Sequence, residues 1–305
     1  MEEGREGKRK RGSKPTAHDF YRIGQEIQNR TGRKIRNSMS DDRRFREFFG
    51  AGVVVVMALW NLLVETDLLP EDGQIAHLLW TLYFFKAYPT QNVACSAAGG
   101  TRGAIDPETF RKYIWPFVSA IADLEQVVID FESRKNSGSL NDCLLSVDCT
   151  DVKIPNHGPA FASHKFAGKS GLRYELAIDI KTGHLVWING PFPCGAFPDL
   201  LIFRQLLAYC LDEGERAEAD DGYRGEAKIK CPSTITNSAE SRAMQQIVRS
   251  RQETVNKRIK QWEILNVIYR HDILTHGDVF RAVAVITQLA ILNGEPLFQV
   301  EYDDI

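Results

Sequence analysis

The chain reads as an α/β protein, a mixed sheet flanked by helices and preceded by an all-helical region. Three observations predict this. Up to about residue 135, apolar residues recur at helical spacing or in long runs. Beyond residue 140, short apolar strands alternate with turn residues. The later order of elements, three strands, a helix, one or two short strands and a helix, is that of a mixed sheet with helices on its faces. With 305 residues, 43% hydrophobic and 26% charged, the chain is long enough for one large domain or two ordinary ones and has a globular composition.

The net charge of −2 conceals an asymmetry: residues 1–46 hold 14 Lys/Arg against 7 Asp/Glu, leaving that end at +7 and the remainder at −9. A basic arm on an acidic body suits a polyanionic partner, because phosphate contacts release counterions. Lys8-Arg9-Lys10-Arg11 also has the composition of a nuclear address. Residues 1–40 are expected to be a largely disordered basic arm, with weak helical spacing at Phe20, Ile23 and Ile27. The six cysteines, Cys95, Cys143, Cys149, Cys194, Cys210 and Cys231, form no CxxC pair and no His-linked zinc spacing, which predicts free thiols in a reducing compartment. The charged start lacks the apolar core of a secretory signal. The longest apolar run, 51–60, is about half a bilayer span, so no membrane segment is expected.

From residue 41 to 135 the pattern predicts a helical domain. Phe45, Phe48 and Phe49 lead into the apolar stretch 53–63, where four consecutive valines leave helix or strand open locally. Its length and continuation through Trp60 and Leu63 favour a buried helix. A second helix over 75–87 ends at Pro89. A loop rich in Gly and Ala follows Pro89 and runs through Gly99-Gly100-Thr101-Arg102-Gly103; a helix start comes next, with Asp106 as N-cap, Pro107 at N1 and Glu108 in the first turn. Phe110, Tyr113, Ile114, Phe117, Val118 and Ile121 form its buried stripe, and Pro116 should kink it. The helices around the Gly loop outline a helix-turn-helix, which serves DNA reading and plain packing equally well.

Residues 133–141 are polar and mark the boundary to a second domain over 140–295. A strand over 144–147 comes first, then a hairpin of 174–180 and 185–188 about Lys181-Thr182-Gly183-His184, with Gly190-Pro191 breaking its second strand. Phe197-Pro198-Asp199 opens a helix, and residues 218–220 end a short strand before Gly222-Tyr223. Residues 240–270 read as one long charged helix and 279–292 as an apolar one.

Asp148 interrupts the apolar strand where an aliphatic residue is expected, and a carboxylate there is costly without a compensating cation. Alone, it equally fits an Asp capping a turn at a strand end. Asp220 ends a later strand before a Gly-containing turn. Glu253 shares a helix face with Asn256, Lys257 and Lys260, which suits a ligand beside a phosphate-binding surface and equally an ordinary solvated face. Three such carboxylates can hold two divalent ions, the arrangement phosphodiester chemistry uses. Without the ions they repel one another. His157, His164, His184, His271 and His276 lack metal-ligand spacing, and Trp187 and Trp262 read as core.

A longer run of blocks carries a resemblance. Val147-Asp148-Cys149-Thr150-Asp151, Ser163-His164-Lys165-Phe166, Gly190-Pro191-Phe192-Pro193 with Pro198-Asp199, Ala219-Asp220-Asp221-Gly222-Tyr223 and Arg251-Gln252-Glu253-Thr254-Val255-Asn256-Lys257-Arg258 occur in order. Together they resemble the DDE superfamily endonuclease domain of PIF/Harbinger-type transposases, over about residues 140–292. The resemblance implies a ribonuclease H-like fold and DNA cleavage with two Mg²⁺ (or Mn²⁺) ions, followed by transfer of the freed 3′-OH. It places the catalytic and metal-binding carboxylates on Asp148, Asp220 and Glu253, with Asp221 a close rival of Asp220. Asp151 matches no catalytic position and reads as a turn cap or an outer hydrogen-bonding group. Lys165, Lys169, Arg224 and Lys257 are candidate phosphate contacts. Gln252 departs from the apolar residue that usually precedes the Glu. The resemblance further implies a multimer and a Myb-like DNA-binding partner, and the basic cluster at 8–11 makes a nuclear location the expectation. The alternative is a domesticated, transposase-derived DNA-binding protein without catalysis.

Overall fold

The computed structural model describes residues 14–137, 143–233 and 239–300. The chain first forms α1 (Ala17–Ile27), whose start is fixed by Thr16 donating from its backbone and hydroxyl to Asp19. Phe20, Tyr21 and Ile27 are buried, with edge-to-face contacts from Phe20 to Trp60 and from Tyr21 to Phe45. Residues 17–27 are therefore not the loose arm their composition predicts, whereas 28–38 form no helix or strand and are mostly exposed; residues 1–13 lie outside the described residues. A weak helical stripe is sufficient once neighbouring helices offer an apolar surface, because packing rather than propensity supplies most helical stability.

α2 (Met39–Phe49) starts at a Ser38/Asp41 capping box and stops at Gly50, whose φ of 85° only glycine adopts readily. A Cβ on Gly50 would meet the Trp262 ring at 2.4 Å, so this turn also seats the helical region against the distant chain. α3 (Val53–Glu65) resolves the four-valine ambiguity as a helix, since Val55, Val56, Leu59 and Leu63 are buried together. α4 (Ile75–Ala87) follows, and then α5 (Gln91–Gly99), a helix where a loop was expected. α6 (Pro107–Asp123) begins as its sequence specifies, with Asp106 Oδ1 accepting from the Glu108 amide at 2.7 Å. The short α7 (Glu125–Val128) closes the region.

The sheet comprises β1 (Cys143–Lys153), β2 (Gly171–Asp179), β3 (Leu185–Pro193), β4 (Arg216–Glu218) and β5 (Ile229–Lys230), in spatial order β3-β2-β1-β4-β5. β1–β2 and β2–β3 pair antiparallel, while β1–β4 and β4–β5 pair parallel. The expected break at Gly190-Pro191 does not occur. β3 continues through a cis Gly190–Pro191 bond, because an edge strand tolerates the missing donor. Between β3 and β4 lie α8 (Asp199–Gln205) and α9 (Leu207–Cys210). After β5 come α10 (Ala239–Lys260), α11 (Glu263–Asn266) and α12 (His276–Leu292). The long charged helix therefore ends at Lys260, ten residues earlier than its composition predicts and just before buried Trp262.

Strand alternation divides the core. Leu145, Val147, Ala177, Ala217 and Ala219 face Phe203 and Leu207 of α8 and α9. Val152, Leu172, Tyr174, Leu176 and Ile178 face the other way, into a core that includes Val255, Ile259 and Phe280 and continues through α1–α6. α12 contacts α3, α6, α10 and β3, so the helical region and this sheet face share one apolar core. No single helix among the described residues is long and apolar enough to cross a membrane, and none of the six cysteines is disulfide-bonded.

Candidate functional site

Asp148 lies in mid-strand, with β1 continuing five residues beyond it, which excludes the turn-capping reading. Parallel pairing sets Ser146 opposite Glu218, and both strand directions then carry Asp148 and Asp220 out side by side, two residues further on. The even positions of β1 face α10, so Asp148 points toward that helix. Its Oδ1 accepts from the Cys149 amide at 2.8 Å and its Oδ2 from the Asn256 side-chain amide of α10, also at 2.8 Å. Burial pushes the Asp148 carboxyl up to about 6; the Lys165 ammonium opposes this, and the negative charge of Asp220 adds to it.

Asp220 caps the turn at 221–223 by accepting from the Gly222 amide at 2.8 Å. Asp221 is exposed and accepts from the Ser233 amide at 3.1 Å, away from this pair. Of the two rivals, Asp220 is the one whose charge Asp148 feels.

A third acidic group, Asp199 at the start of α8, acts on the same spot. Its carboxyl is raised by burial, against the pull of Arg173 and Lys165, and the charges of Asp151 and Asp220 push the same way as burial. Arg173 ties this group to β1. It donates to both oxygens of Asp151 at 2.8 and 3.0 Å, and its Nη1 lies 2.5 Å from Asp199. Asp151 and Arg173 are directly opposed in the β1–β2 register, and the Ser163 hydroxyl adds a 2.5 Å bond to Asp151. Asp151 is thus half of a buried ion pair behind the site, an outer hydrogen-bonding group and not a turn cap. Burial works against its ionisation, but Arg173 and Ser163 hold its carboxyl below the usual range.

Glu253 is exposed on α10 and has no side-chain hydrogen bond or ion pair among the described residues. It lies one turn before Asn256, on the same side of the helix. The structure therefore brings Asp148 and Asp220 together and leaves Glu253 at the rim. Among the described residues, no three His, Cys, Asp or Glu side chains form a ready-made cation cage. Gln252, the departure from the family pattern, is buried against β2, with Nε2 3.4 Å from the Leu176 carbonyl. Arg251 is buried beside it and donates to the Asp179 and Phe298 carbonyls. These two residues fix the rotation of α10 and thereby aim Asn256 at Asp148.

Among the candidate phosphate contacts, Lys165 donates from Nζ to the Cys149 carbonyl at 2.8 Å, next to Asp148. Lys169, Arg224 and Lys257 are exposed. Asn256 and Asp199 are the residues that sequence reasoning missed. Asn256 stood on the Glu253 face, and Asp199 in one of the resembling blocks, but nothing local marked either as touching Asp148's surroundings. Two histidines take packing roles: buried His276 is bonded to the Tyr174 hydroxyl at 2.6 Å, and exposed His271 sits edge-on to Phe84, Tyr88 and Trp115.

The donor set fits a divalent cation at Asp148 and Asp220. Both groups supply hard oxygen, each Asp148 oxygen keeps a lone pair beyond its one hydrogen bond, and a cation would offset both the burial that raises Asp148 and the smaller push from Asp220. Comparison of the chain with protein-family models, curated proteins and solved structures finds no match to any of them.

Proposed function

We propose that this protein is a divalent-metal-dependent DNA endonuclease of the DDE transposase type, built on a ribonuclease H-like sheet. One observation carries the reading: a half-buried, hard-to-ionise Asp148 in the middle of β1 beside Asp220, which lies just past the end of the adjacent parallel strand β4. The strand order, with an antiparallel β3-β2-β1 meander continued by parallel β4 and β5, supports the fold assignment. In this reading Asp148, Asp220 and Glu253 hold Mg²⁺ (or Mn²⁺). Bound there, such ions supply an activated water and charge stabilisation at the leaving 3′ oxygen.

The chain's own groups prepare the site. Asn256 fixes the orientation of Asp148, and the Cys149 amide holds its other oxygen. Arg173 anchors Asp199 and Asp151 behind it. Lys165 offsets part of the local negative charge and stands where a scissile phosphate would enter. Glu253 turns in from the exposed side of α10 when positive charge is present, since three carboxylates do not gather without it. The basic N-terminal segment contributes sequence-independent DNA affinity. Nuclear location, multimeric assembly and a Myb-like DNA-binding partner belong to the same reading.

A second reading, a transposase-derived DNA-binding protein without catalysis, is favoured by the exposed Glu253, which has no partner among the described residues. Nicking of supercoiled plasmid by the purified full chain in Mg²⁺ or Mn²⁺ decides between them. The nuclease reading expects metal-dependent nicking that Asp148→Ala and Glu253→Gln each reduce to the level of an EDTA control. Salt-sensitive DNA binding with no nicking in either metal establishes the second reading instead.

A further inference from the structure

Beside the acidic pair lies an open groove of about 1290 Å³. One wall is the end of β1 and the loop that follows it, 154–170; the other is the C-terminal end of α4 with the segment 267–270. The walls are tied to the sheet through backbone bonds, Tyr269 to the Lys153 carbonyl at 3.1 Å and Ile154 to the Ser170 carbonyl at 3.2 Å. Its lining carries four cationic side chains, Lys153, Lys165, Lys169 and Arg270, against one acid, Glu263. None of the four cations forms a salt bridge among the described residues. Four cations against one acid is an unusual balance on a body whose net charge beyond residue 46 is −9.

Two aromatic rings line the same groove. Lys153 Nζ stands 5.5 Å from the centroid of Phe166, and the Arg270 guanidinium 4.1 Å from that of Tyr88. Arg270 is held there by bonds to backbone carbonyls of Tyr88 and Pro89. Lys165 belongs both to the groove and to the surroundings of Asp148, through its bond to the Cys149 carbonyl. Lys165 thus links the groove to the acidic pair.

We propose that this groove holds a single strand of nucleic acid leading away from Asp148, with Lys153, Lys165 and Lys169 on its phosphates and Phe166 against a base. A concave, cation-lined channel with an aromatic wall suits a strand whose bases are free to stack. A duplex keeps its bases paired inside and presents phosphates on a convex surface. The direction of the strand rests on the nuclease reading; the occupancy of the groove does not.

The test uses the full chain in EDTA, where cleavage is off, with fluorescein-labelled dT12 and a 12-base-pair duplex followed by anisotropy over a salt series. A Lys153→Glu/Lys169→Glu variant is expected to bind dT12 about tenfold more weakly or worse, with a shallower salt slope, by about 1.4 for two lost phosphate contacts on a single strand. Lys153→Arg/Lys169→Arg restores binding. Phe166→Ala weakens dT12 by about fivefold or more and leaves duplex affinity within about twofold. Circular dichroism and thermal melting confirm that each variant folds. Unchanged dT12 binding in the charge-reversed variant, equal losses on strand and duplex, or equal competition by an acidic peptide overturns the proposal. Plasmid nicking in Mg²⁺ is read in parallel. Lost nicking with intact strand binding in the wild type removes the nuclease reading alone, whereas unaltered strand binding in the charge-reversed variant removes the groove alone.

Discussion

The Asn256 side-chain amide donates a 2.8 Å hydrogen bond to Oδ2 of Asp148, joining α10 to the centre of β1 across 108 residues of sequence. This contact sets the carboxylate plane of Asp148, because the Cys149 amide already holds its other oxygen. It also places Glu253, one turn earlier, on the same side of the helix as the acidic pair.

Removing that amide should loosen the cation site more than the fold. Asn256→Ala is expected to weaken Mn²⁺ binding by about 10- to 100-fold, the usual effect of losing an outer partner of a metal ligand. Isothermal titration calorimetry on the wild type and the variant measures this. Equal affinities would remove Asn256 from the site.

Asp148 makes the metal-free protein sensitive to pH. Its folded-state carboxyl is raised to about 6, above the ordinary 3.8, so the native state binds the extra proton. Stability from this group is fully present below about pH 4 and is lost as pH rises through about 6. Asp148→Asn removes the penalty, and in EDTA it should exceed wild type by about 2 kcal/mol at pH 8, with the gap closing near pH 4. Mn²⁺ should raise the melting temperature of the wild type and leave the variant unmoved. A variant less stable than wild type at pH 8 would contradict the burial argument.

Glu175 behaves similarly on the other sheet face. It is fully buried, accepts from the Trp187 indole at 2.9 Å, and is pushed by burial up to about 7. Its contribution to stability is present below about pH 4.5 and declines as pH rises through 7. Glu175→Gln keeps an acceptor for Trp187 and loses the charge. Chemical denaturation should show the variant more stable than wild type at pH 8.5 and similar to it at pH 4.5.

Arg173 serves two carboxylates, and its replacement tests whether the acidic cluster needs an anchor. Arg173→Ala leaves Asp151 buried without its partner and should destabilise the fold by about 3–5 kcal/mol. Arg173→Lys keeps the charge but cannot span Asp151 and Asp199 together, so it should fall between the two. Urea melts give the order; a neutral Arg173→Ala would show the pair to be dispensable.

Features held within a few residues were readable in the chain. The Asp106-Pro107-Glu108 helix start needs only a side-chain acceptor beside two free amides, and it forms as written. The hairpin about 181–184 and the apolar strand carrying Asp148 are equally local. The expected loop over 91–99 is helical, and the expected arm is helical and packed over 17–27. Both gain their form from contacts with residues far along the chain, which short-range spacing does not record.

The sequence by itself determined the strand that carries Asp148, the short strand before Asp220 and the helix that carries Glu253, because periodicity and turn residues act over a few positions. Tertiary structure alone decided that Asp148 and Asp220 stand side by side, that Asp151 belongs to Arg173, and that Asn256 is the α10 residue in contact. Each depends on strand register or helix rotation, set by burial of Val255, Ile259, Gln252 and Arg251 against a sheet assembled from segments many tens of residues apart. A one-residue slip in the β1–β4 register would turn Asp220 to the opposite face, and no local pattern in the chain forbids it.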